Sequence, residues 1–199
     1  MTLNQQPELK EAILNQSEKE KDKLLVRLIN KDKKLMEQLH FLLLEDESDL
    51  IDRISNVKND LEKLFTVIEK NVSRKTLNYK HKELTTCLKT ASGLVNEHAS
   101  ITKNKESELD LRLLILEEAF DTYFNLYQNE SFGYKADAHF AYIAARFKAI
   151  LALYDKLHED LQYEYRERIE KVTKFIHNTI LSEYVIALNI NYLNYVQIE

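Results

Sequence analysis

Four consecutive segments of this chain repeat apolar residues at alternating spacings of three and four, and no other feature constrains the fold as strongly. The first, from Ser48, runs Leu50, Ile54, Val57, Leu61, Leu64 and Ile68. The second, from about Ser73, runs Leu77, His81, Leu84, Leu88, Ala91, Val95 and His98. The third is Leu109, Leu113, Leu116, Phe120, Tyr123 and Tyr127, and the fourth, after Gly133, is Ala136, Phe140, Ile143, Phe147, Ile150, Tyr154, Leu157 and Leu161. A period near 3.5 residues is the seam of a helix lying at a shallow angle against its neighbours. Short polar connections at 71–73, 100–105 and 129–133 make successive helices antiparallel. A last helix from about Tyr163 carries Tyr165, Ile169, Val172 and Ile176, with a stutter or break after Asn178.

The predicted fold is therefore all-α: an antiparallel bundle of four to five long helices beginning near Ser48, Ser73, Glu106, Tyr134 and Tyr163, with an irregular α-α superhelix as the alternative. Ala141, Tyr142, Ala144, Ala145 and Ala149 flank the fourth seam, so that helix is expected at the centre, buried nearly all round. Ahead of the bundle, Pro7-Glu8 opens a short helix, and Ser17 with Glu20 has the capping-box spacing. Leu24, Leu25, Leu28 and Ile29, then Leu35, Leu39, Leu42 and Leu43, give two short helices either side of Asn30-Lys31-Asp32. Residues 1–199 are expected to form a single domain in which 1–46 caps one end of the 47–199 bundle.

Composition closes off the other classes. Two glycines, Gly93 and Gly133, and one proline, Pro7, are too few for the tight turns of a barrel, sandwich, P-loop or Rossmann domain. The single cysteine, Cys87, forms no internal bridge, which fits a reducing cytoplasm. The first ten residues contain no hydrophobic signal core and no apolar run reaches the roughly 20 residues needed to span a bilayer, so membrane insertion is not expected.

Six histidines raise a metal hypothesis. A di-iron bundle needs Glu-x-x-His on two helices with inward carboxylates from two more. Glu37-x-x-His40 and Asp155-x-x-His158 are the nearest matches, and both fall off their apolar faces. His81 and His98 share a seam but lie about 25 Å apart along one helix, so each is read as a bundle-edge histidine with a polar partner. Cys87, mid-helix and away from histidine, is read as a packing residue. No catalytic residue, metal ligand or cofactor is assigned.

Two surface features remain. Arg74, Lys75, Lys80, Lys82 and Lys89 form the strongest basic cluster, a candidate anion-binding face, although a net charge of −5 argues against a nucleic-acid partner. Ten of eleven tyrosines lie from Tyr123 onward. The apolar residues after Asn178 surround the helix instead of forming one stripe, which marks Tyr184, Leu188, Tyr192 and Tyr195 as a candidate interface, most simply of a symmetric homodimer. The alternative is that this tail folds back across the bundle.

The segment from Lys23 to His40, KLLVRLINKDKKLMEQLH, resembles the opening of uncharacterised helical proteins of Bacteroidetes-type bacteria. That resemblance implies a bacterial cytoplasmic protein and brings no catalytic motif. The expected function is a non-enzymatic protein–protein interaction or scaffolding bundle. A metal- or small-molecule-binding bundle enzyme is the alternative, and a nucleic-acid-associated protein using the 74–89 face is a further one.

Overall fold

The computed structural model describes residues 2–72, 76–128 and 134–196. Among them the chain is all-α, with ten α-helices and no strand. It divides into two compact units, Met1–Asp46 and Glu47–Glu199.

The first unit holds a 3-10 turn at Leu3–Gln5 and three short helices, α1 (Pro7–Leu14), α2 (Glu18–Ile29) and α3 (Lys33–Leu44). Its helix starts follow local chemistry. The Ser17 backbone N–H donates to the Glu20 carboxylate at 3.2 Å, and Asp32 caps α3 by accepting from the Leu35 amide at 3.0 Å. Helices α2 and α3 pair as a hairpin in which Leu24, Ile29, Leu35 and Leu39 become only half-buried. No described apolar side chain of this unit is buried.

The second unit carries the core. Its elements are α4 (Glu47–Val72), α5 (Leu77–Thr102), α6 (Lys105–Thr122), α7 (Phe124–Gln128), α8 (Tyr134–Tyr154), α9 (Glu159–His177), α10 (Leu181–Ala187) and a 3-10 turn at Tyr192–Tyr195. The expected second start, Ser73, lies outside the described residues. Between α5 and α6 only Lys103 and Asn104 intervene, so the two helices run antiparallel. Lys103 takes the left-handed conformation at φ 55° that closes a helix, and Asn104 caps the next by accepting from Ser107 at 2.8 Å.

Two expectations need correction. The central helix is α6, not α8: α6 packs on α4, α5, α8 and α9, and between Ser107 and Phe120 only Glu118 is exposed. Its buried set includes Leu111, Ile115 and Ala119, which lie off the single seam read from the sequence. On α8, by contrast, Ala141 and Ala149 are exposed; alanine costs little in water on a helix and need not mark a buried flank. The third seam is also interrupted, because the chain leaves helical geometry at Tyr123 (φ −120°, ψ 28°) and restarts in α7.

Ion pairs tie the outer helices to α6. Arg168 on α9 reaches Asp110 at 2.5 Å and Glu117 at 2.7 Å, while Lys58 on α4 takes the other oxygen of Asp110 at 2.8 Å. The polar side of α6 is thus covered by charge-assisted bonds.

Candidate functional sites

The most unusual polar arrangement lies inside the second unit. His81 and Thr85 on α5 meet His139 on α8 and Tyr127 on α7, with the imidazole centroids 5.3 Å apart. The Thr85 hydroxyl donates to the His81 carbonyl at 2.7 Å. Its single proton is therefore spent, and at 2.8 Å it must accept from His139 Nδ1–H. His139 Nε2 is then the acceptor for the Tyr127 hydroxyl at 3.2 Å. Burial pushes His139 down to about 3, with His81 adding to the effect, and burial lowers His81 as well. Both ring nitrogens of His139 are thus engaged, and the neutral His81 ring packs edge-on to Phe140. His81 is thus a central residue and not the bundle-edge histidine expected from its seam.

His98 matches its expected character more closely, since its Nε2 lies 2.9 Å from Ser107 Oγ and fastens the α5–α6 corner. Among the described residues no three His, Cys, Asp or Glu side chains gather as metal ligands would. Cys87 is buried, and burial pushes its thiol up to about 12, which removes the thiolate that nucleophilic chemistry needs.

The four residues of the expected C-terminal interface are engaged within their own chain. The Tyr184 hydroxyl donates to Asp137 at 2.6 Å and Tyr195 to Asp155 at 2.8 Å, with both phenols pushed up to about 12, first by burial and then by those carboxylates. Tyr192 is 4% exposed and its hydroxyl lies 3.2 Å from His177 Nδ1; Leu188 packs against the core. The tail therefore folds back and covers these four residues, while Ile186 and Leu193 stay exposed at 61 and 44%.

Of the expected basic cluster, Arg74 and Lys75 lie outside the described residues. Lys80 is half-buried, while Lys82 and Lys89 are exposed one heptad apart on α5. Lys89 meets a residue that sequence reasoning missed. Lys89 Nζ stands 5.9 Å and the Arg146 guanidinium 5.1 Å from the Tyr142 ring centre, so two cations from α5 and α8 share one aromatic ring. The legible signal was a lone arginine in the apolar run from Phe140 to Tyr154, one turn beyond Tyr142.

Exposed apolar surface is concentrated in the first unit. On α3, Leu42, Leu43 and Leu44 are 73, 70 and 73% exposed, and on α2 Leu25 and Leu28 are more than half exposed. A groove of about 320 Å³ in the second unit is walled by Leu50, Ile54, Tyr165 and Ser107, with the Lys58–Asp110 pair at its side.

No protein-family model, no curated protein and no solved structure matches the chain. Among the described residues no helix is long and apolar enough to cross a membrane.

Proposed function

We propose that this chain is a non-enzymatic helical interaction protein that associates with a second copy of itself through the α2–α3 hairpin. One observation carries the reading: no apolar side chain among residues 2–46 is buried, while Leu25 and Leu28 on α2 and Leu42, Leu43 and Leu44 on α3 stand more than half exposed. Helices of 12 residues are marginal on their own in water. A hairpin with this much open apolar surface gains order when another helical surface covers it.

Three features favour a second copy as that surface. The two helices are equal at 12 residues, so two hairpins related by a two-fold axis close into a four-helix bundle. Residues 1–46 carry eight cationic and nine acidic side chains, so like copies are not repelled. Covering the hairpin leucines on both partners removes on the order of 1,000 Å², the lower bound for a specific interface. The non-enzymatic part of the reading is supported by the full engagement of His139 and by the inert thiol. The groove at Leu50, Ile54 and Tyr165, about 320 Å³, favours small-molecule binding as the second reading.

Light scattering on the full chain at micromolar concentration tests the proposal. The expected result is twice the 23.5 kDa chain mass, falling to the chain mass in Leu28→Lys/Leu43→Lys. A wild-type monomer whose hairpin amides resist hydrogen exchange would overturn it, because the face would then be covered within the chain. A monomer with rapidly exchanging hairpin amides overturns self-association as well.

A further inference from the structure

We propose that the groove between the N-terminal half of α4, the start of α6 and α9 binds a small amphipathic organic cation, an ammonium head on a short apolar body. The assignment names the ligand class of that groove, so it rests on the small-molecule reading of it. Helix α4 supplies the apolar wall. Its first buried residue is Leu61, which leaves Leu50 and Ile54 half-buried and Ile51 61% exposed beside the half-buried Tyr165 of α9. A volume of about 320 Å³ lies at the small end of ligand pockets, which span roughly 300–1,000 Å³, so the body is short.

The polar lining is one-sided in charge. Lys58 and Asp110 neutralise each other at 2.8 Å, and Arg168 also bonds Asp110, so the only lysine of the lining is spent. Asn104 and Ser107 are engaged as well: Asn104 accepts from the Ser107 amide at 2.8 Å, and Ser107 Oγ lies 2.9 Å from His98 Nε2. Three groups remain. Among the described residues, no cation pairs with the Glu47 or Glu106 carboxylate, and the Tyr165 hydroxyl makes no hydrogen bond. Both glutamates stand in the first turn of a helix. A helix start carries only about half a positive charge, so a whole carboxylate at each leaves the groove net negative. The phenol of Tyr165 senses that sign: it is pushed up to about 12, first by burial and then by Asp110 and Glu106, ahead of the opposing Arg168.

An ammonium group satisfies all three, donating to the carboxylates and to Tyr165 Oη while its chain covers Leu50, Ile51 and Ile54. A carboxylate or phosphate head would meet two glutamates and no uncommitted lysine or arginine of the lining. A neutral alcohol keeps the apolar contact and forgoes the charge. Glu47 and Glu106 are exposed, so the preference for a cation is modest and falls with salt.

NMR titration of the isotope-labelled full chain at low ionic strength tests the site with three probes of equal length, hexylamine, hexanol and hexanoate. Hexylamine should shift the Leu50, Ile54 and Tyr165 signals saturably, with a Kd on the order of 1 mM. Hexanol should bind about fivefold more weakly, and hexanoate should leave these signals unmoved. Glu106→Gln should weaken hexylamine about twofold, and Glu47→Gln/Glu106→Gln should bring it to the level of hexanol. Hexanol binding retained in both variants shows that the groove is intact. Hexanol or hexanoate binding as tightly as hexylamine overturns the cation assignment while leaving the groove a small-molecule site. Hexylamine affinity unchanged in the double variant overturns it too. Absence of saturable shifts with all three probes removes the assignment and the small-molecule reading together.

Discussion

Arg168 and Asp110 join α9 to the central helix across a 2.5 Å contact, and the same carboxylate is held by Lys58 from the opposite side. Burial alone would raise the Asp110 carboxyl, but hydrogen bonds and charge from Lys58 and Arg168 overcome it and hold the group below its ordinary range. A depressed carboxylate stabilises the fold above its unfolded pKa of about 3.9, and that contribution is lost as pH falls through the lower folded value. Asp110→Asn should cost about 2 kcal/mol at pH 7 and flatten the loss of stability below about pH 4. Urea unfolding across pH 2.5 to 7, values spanning roughly that window, is the measurement.

The histidine core responds in a different window. The folded pKa of His139 lies near 3, far below its unfolded value of about 6.5, so the unfolded chain binds the extra proton between them. Stability is fully present above about pH 6.5 and declines toward pH 3, by at most about 1.4 kcal/mol per pH unit for each such histidine. His139→Gln retains an acceptor for Tyr127 and should reduce the slope between pH 7 and 5. A slope unchanged by that substitution would assign the pH dependence to other groups.

Folding back of the tail separates two tyrosines. Tyr192 is buried, and Tyr192→Ala should cost about 3 kcal/mol by opening a cavity. Tyr195 sits at the edge, so Tyr195→Phe, which loses only the bond to Asp155, should cost less than about 1 kcal/mol. Neither change should alter the mass seen by light scattering. A dimer lost in either variant would return the interface to the C-terminus.

Cys87 should be silent toward thiol reagents while the chain is folded. Its burial and raised thiol pKa leave labelling to wait for unfolding, so at reagent concentrations where labelling outpaces refolding the modification rate should equal the unfolding rate measured by circular dichroism. Labelling much faster than unfolding would show local opening of α5. Cys87→Ser should destabilise more than Cys87→Ala, because it buries a hydroxyl among apolar neighbours.

The periodic parts of the fold were legible in the sequence because burial imposes a period. Leu61, Leu88, Leu116 and Phe147 are all core residues, as their spacing required. The choice of central helix was not legible from one seam. Leu111 and Ile115 read as off-seam leucine and isoleucine until four neighbours are known to surround α6. No glycine or proline announces the break at Tyr123, so a continuous pattern concealed it. The partners His81 and His139 stand far apart in the chain, and nothing local couples them. Arg146 could have been singled out by its apolar company, yet the Tyr142 ring it shares with Lys89 became visible only in three dimensions.

The near-complete enclosure of α6 also governs how the second unit can come apart. Detaching α4, α5, α8 or α9 strips a face from a helix that has almost no solvent-adapted side, so partial structures gain little before most of the helices have docked. Opening is then largely all-or-none, and the amides of Leu111 to Leu116 should be the slowest to exchange, their protection reporting the global free energy of unfolding. The α2–α3 hairpin, with no buried apolar side chain, belongs at the other end of that scale, so one molecule should combine a cooperative body with a segment whose order follows the occupancy of its apolar face.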